Sequence, residues 1–115
     1  MSRTMVGLLV AMVVAGATGT ARGQSPELVE RGMAVYAEQR CGLCHSVADE
    51  GNAKGPLDGV GSRLTAEKLD LWLTDPKGMT EKTGAERRPA MREYPSLSDE
   101  DRAALVAYML SLTDG

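Results

Sequence analysis

Cys41-Gly42-Leu43-Cys44-His45 constrains this chain more than any other stretch of it. Two thiols lie three positions apart, an imidazole follows at once, and the 115 residues hold no further Cys or His. Three other readings of the motif are weaker. A zinc site takes four ligands, and Cys41, Cys44 and His45 leave it one short. A dithiol of the thioredoxin kind sits in a βαβ setting, whereas this sequence shows no convincing strand alternation. A disulfide across so tight a ring stabilises little, because a short loop has little entropy to lose. Composition sharpens the problem, since one Trp, three Tyr and no Phe give an aromatic fraction of only 3%. Aromatic rings contribute the most buried apolar area per residue. A short domain without them needs another staple. This chain has to be organised around something non-peptidic.

Residues 1–23 read as a secretory signal, with Arg3 ahead of an apolar run from Met5 to Ala15. Small residues follow, and Ala21-Arg22-Gly23 forms a small-x-small cleavage site before Gln24. A membrane span takes roughly 20 apolar residues, and this run is about half that. Cleavage therefore leaves one domain, residues 24–115, with no stable membrane span. Losing Arg3 and Arg22 leaves 11 basic residues against 16 acidic ones, a net charge of −5. An acidic domain without a basic stripe argues against nucleic acid as a partner. Export implies the periplasm, where a free thiol pair persists only for a reason.

The remaining chain carries the 3.6-residue periodicity of helices. Ser25 as N-cap with Pro26 behind it predicts a first helix towards Arg40, burying Leu28, Gly32, Val35 and Tyr36. Thr65 predicts a second helix with Leu69, Trp72 and Leu73, which Pro76 stops. Ser98 opens a last helix whose first turn holds Asp99, Glu100 and Asp101 at its positive end. Its inner face is Leu105, Tyr108, Met109 and Leu112. Residues 48–63 and 75–97 are expected to be irregular. A loop as long as the second is usually functional or disordered.

Cys-x-x-Cys-His is the attachment signature of c-type haem. Each sulfur can add to one vinyl group of a porphyrin, and the next residue places an imidazole beneath the iron. A covalent haem would supply the bulk that the missing rings do not. From here the chain resembles the class I c-type cytochromes, small periplasmic electron carriers. The resemblance rests on Gly32 to Tyr36 ahead of Cys41-Gly42-Leu43-Cys44-His45, on Gly55-Pro56-Leu57-Asp58-Gly59-Val60-Gly61, and on Trp72. Leu97-Ser98-Asp99-Glu100-Asp101 with Leu105 and Tyr108 completes it. It implies an all-α fold, three to five helices packed around one covalently attached haem.

With His45 the only histidine, a thioether is the usual sixth ligand. Four Met follow the signal. Met33 and Met109 read as core side chains on helices. Met79 and Met91 both lie in the long loop. Met91 is the first choice, because Pro89 and Pro95 stiffen the chain around it. Its distance from Leu97 also resembles the family spacing, although Arg92 stands where the family usually has proline. Met79 is the alternative. The resemblance further implies that the Pro56 carbonyl accepts from His45, and that Arg63 and Trp72 donate to the haem propionates. It implies that Gly32 and Tyr36 let the first helix cross the last one closely.

An iron held by His45 and Met91 has no position for substrate, so the expected role is one-electron transfer and not catalysis. The partners are then a redox donor and acceptor that dock transiently at the haem edge. Two alternatives stay open: a haem subunit of a larger periplasmic oxidoreductase with a catalytic partner subunit, and a haem sensor or enzyme with a labile sixth ligand. Residues 75–92 carry Lys77, Lys82, Arg87, Arg88 and Arg92 against Asp75, Glu81 and Glu86, a net +2 on an otherwise acidic body. Such asymmetry can steer a partner.

Overall fold

The computed structural model describes residues 25–114, so the signal expected over residues 1–23 lies outside the described residues. The order along the chain is α1 (Pro26–Glu38), a 3₁₀ turn (Cys41–Leu43), β1 (Ser46–Val47), β2 (Glu50–Gly51), α2 (Val60–Arg63), α3 (Ala66–Thr74), α4 (Pro76–Thr83) and α5 (Asp99–Ser111). The fold is the expected small all-α arrangement, with one two-stranded addition.

Three helices start where their caps predict. The side-chain oxygens of Ser25, Thr65 and Ser98 accept from the amides of Leu28, Lys68 and Asp101, at 3.3, 3.3 and 3.1 Å. Each satisfies one of the amides a helix start leaves unpaired. The stretch expected to be irregular after Pro76 is different. Asp75 ends α3 and caps α4, accepting from the Gly78 amide at 3.1 Å, and Pro76 opens α4 at its first turn. Proline stops the preceding helix but is well suited to the first turn of the next. Residues 48–63 likewise contain α2 and strand β2, which pairs with β1 just ahead of them in a hairpin. Ala48 and Asp49, the two residues between the strands, both have positive φ (49° and 67°), the pattern of a two-residue hairpin turn.

The core gathers Val35 of α1, Val60 of α2, Leu69 and Leu73 of α3, and Leu105, Val106, Tyr108 and Met109 of α5. On α5 every residue from Ala104 to Met109 is buried, a wider band than the predicted stripe, because α1, α2 and α3 all pack on this one helix. α1 and α5 form the most extensive pair. They touch at Gly32, where a β-carbon would fall 2.7 Å from Tyr108 Cβ and closer still to the Ala104 carbonyl oxygen. Next to that contact the Tyr36 and Tyr108 rings meet edge to face, centroids 5.5 Å apart. This is the close crossing expected of Gly32 and Tyr36. Met33 departs from its expected core position: it is 52% exposed on the outer side of α1. Bidentate contacts from Arg31 to Asp101 (3.0 and 3.2 Å) and a 2.7 Å bond from Arg102 to Asp70 tie α5 to α1 and α3 at the surface.

Candidate functional site

α1 ends at Glu38, and Arg40 turns the chain in the left-handed region (φ 56°), so Cys41 enters a 3₁₀ turn instead of extending the helix. The turn sends the two thiols to different environments. Cys41 is buried and Cys44 exposed. Burial pushes the Cys41 thiol up to about 11, so it stays protonated at neutral pH.

The motif is held from below by a residue that the sequence alone did not single out. Asn52 donates its amide to the Gly42 and His45 carbonyls at 3.0 and 2.9 Å, and its side-chain nitrogen to the Leu43 carbonyl at 3.0 Å. It reaches them because Gly51, at φ 106°, runs close under the motif, and a β-carbon there would collide with the His45 carbonyl. The turn residues Gly51-Asn52 so soon after His45 were the available signal.

His45 Nδ1 lies 3.0 Å from the Gly55 carbonyl oxygen. A carbonyl can only accept, so Nδ1 carries the proton and Nε2 keeps its lone pair for a metal. The expected acceptor was Pro56, one residue on. The register assigns the role to Gly55, because the same carbonyl also accepts from the Ser46 amide (3.0 Å) while Leu57 donates to the Ser46 carbonyl (2.8 Å). These two bonds bracket Pro56 beside Ser46. Burial lowers the imidazole pKa, the Gly55 bond opposes this, and the nearby Arg87 cation adds to the lowering. The ring is neutral at neutral pH, as a ligand must be.

Cys41, Cys44, His45 and Met91 all line one cavity of about 580 Å³, within the 300–1,000 Å³ typical of ligand sites. Its wall is largely apolar, from Leu57, Val60 and Leu64 near α2, Leu69, Trp72 and Leu73 on α3, and Leu105 and Met109 on α5. Met91, on the segment between α4 and α5, also packs against the core. Met79 does not line this cavity. It is buried within α4, whose formation takes it out of the loop. Trp72 lies on the wall, but Arg63 does not: its guanidinium donates to the Asp58 carbonyl at 3.0 Å at the surface. The cations that do line the cavity are Arg40, Arg87 and Arg92. Among the described residues no three His, Cys, Asp or Glu side chains converge as a metal cluster would require. A large apolar cleft with two thiols, one imidazole and one thioether on its wall fits a porphyrin and its iron.

The cytochrome c family model matches residues 29–113. A relative is cytochrome c oxidase subunit 2 of Alkalihalophilus pseudofirmus, 31% identical over 108 residues. The match covers 86% of this chain and 30% of that protein, so the chain spans under a third of the length of its relative. No solved structure matches the chain.

Proposed function

The chain belongs to the cytochrome c family, which makes it a haem-binding electron-transfer protein, and from that premise we propose an exported, periplasmic one-electron carrier. In it Cys41 and Cys44 hold a single haem covalently, and His45 and Met91 ligate the iron. The observation that carries this reading is the convergence of those four side chains on one apolar cavity, from which Met79 is excluded. The haem supplies a one-electron iron couple.

The chain does the rest. The Gly55 carbonyl fixes the tautomer and orientation of His45. Met91 is placed by a segment that packs on the core, and its thioether raises the potential of the couple. The apolar wall from α2, α3 and α5 excludes water, which disfavours the extra charge of the ferric state. The apolar run behind Arg3 supports export.

The relation to an oxidase subunit supports a second reading, in which the domain passes electrons within a larger oxidoreductase. No helix among the described residues is long and apolar enough to cross a membrane. Co-purification of a catalytic polypeptide from native membranes or periplasm favours the complex. A single monomeric species that exchanges electrons in solution favours the shuttle. For the ligand set, the test is an optical titration with carbon monoxide. A ferrous form that resists carbon monoxide supports Met91 on the iron, and rapid binding overturns it in favour of a sensor or enzyme with a labile sixth ligand.

A further inference from the structure

Arg87 is the one residue from Glu81 to Ala90 that is not fully exposed. Its guanidinium lies against Gly55, where a β-carbon would collide with Arg87 Nη1 and sit 2.7 Å from Cζ. That same Gly55 supplies the carbonyl that holds His45 Nδ1. Arg87 also lines the cavity, four residues ahead of Met91. Among the described residues no carboxylate forms an ion pair with it; the ion pairs there use Arg31 and Arg102.

We infer that Arg87 is a positioning residue that closes the Met91 segment onto the Gly55 turn and holds beside the His45 imidazole a cation that no carboxylate among the described residues neutralises. This rests on the ligand assignment above. Two consequences follow from the contact. The first is mechanical. The Met91-bearing segment is exposed over most of its length, and a planar guanidinium seated in the notch of a glycine ties it to the opposite side of the site. A lysine carries the charge on a slender ammonium and cannot fill that notch in the same way. The second is electrostatic. A fixed positive charge beside the imidazole disfavours the added charge of ferric iron, and half-burial screens it less than an exposed charge is screened.

The two effects separate in three variants of the full haem-loaded protein: Arg87→Gln, Arg87→Lys and Arg88→Gln. Arg88 is an exposed neighbour that changes the same net charge. The readouts are the midpoint potential and the affinity of the ferric form for added imidazole, which must displace Met91. Arg87→Gln is expected to shift the ferrous-to-ferric ratio at fixed potential towards ferric by about threefold to tenfold, the scale of one partly screened charge. It is also expected to bind imidazole more tightly. Arg87→Lys should restore the potential but keep the tighter imidazole binding. Arg88→Gln should leave both near wild type. An Arg87→Gln protein with unchanged potential and unchanged imidazole affinity overturns the inference, as does an Arg88→Gln shift of equal size. If wild-type protein carries no haem or shows no Met ligation, the ligand assignment itself has failed, and the spectrum reports that before any variant is made.

Discussion

Gly32→Ala should unfold the domain more easily, although alanine is the better helix former. In an exposed helix interior the exchange would stabilise by about 1 kcal/mol. At Gly32 the new methyl would lie 2.7 Å from Tyr108 Cβ and 2.8 Å from the Ala104 carbonyl carbon, with the Ala104 oxygen nearer still. Two of these three atoms are α5 backbone, so no side-chain rotation relieves them. α1 and α5 have to separate, and that loosens the crossing on which Val35, Leu105 and Tyr108 pack. Overpacking of this kind typically costs about 1–3 kcal/mol, and rigid neighbours place it at the upper end. After the helix-propensity gain, the net loss is about 2 kcal/mol. For a domain of this size that lowers the unfolding temperature by about 10 °C. The assay is thermal and guanidinium unfolding of the loaded protein followed by circular dichroism. Gly42→Ala is the control, since a β-carbon there meets nothing within 4 Å. A Gly32→Ala protein as stable as Gly42→Ala would refute the close-crossing account.

Three further outcomes are expected. The Tyr36 hydroxyl is buried with no hydrogen-bond partner among the described residues, so Tyr36→Phe should be neutral or stabilise by up to about 1 kcal/mol in the same unfolding assay. Burial also pushes that phenol up to about 12, above its ordinary value near 10. The folded state then keeps a proton that the unfolded chain releases, so stability is full below pH 10 and falls as pH rises towards 12. Tyr36→Phe should flatten that fall, and an unchanged slope would count against the burial argument. Met91→Ala should abolish the sulfur-to-iron optical band and open the ferrous form to carbon monoxide. Met79→Ala should leave the spectrum intact but cost about 2–5 kcal/mol as a core cavity, so a spectral loss in Met79→Ala would reverse the ligand choice. Finally, the cations of residues 75–92 should make electron transfer with an acidic partner slow down as salt is added. A rate independent of salt would remove the steering role.

Helix starts were legible because a cap is a local event: Ser25, Thr65 and Ser98 need only an amide three residues on. α4 was hidden because Asp75-Pro76 ends one helix and begins another, and the segment after it has Gly78, two threonines and only one large apolar residue. The β1–β2 hairpin escaped notice because two-residue strands cannot show alternation, and Ala48 gives no hint of its positive φ. At the site, residue types were readable but the directions of atoms were not. Nothing in Gly55-Pro56 says which carbonyl faces His45, since that depends on pairing with Ser46 and Leu57. Arg63 and Arg87 look alike along the chain. Only the fold sends one to the Asp58 carbonyl and the other to the cavity.

The intact mass of the purified, exported protein probes the two thiols on which everything else depends. The account predicts a polypeptide beginning near Gln24 whose mass is raised by one iron porphyrin, with no thiol left to alkylate at Cys41 or Cys44. A bare polypeptide mass with both cysteines alkylated would contradict it.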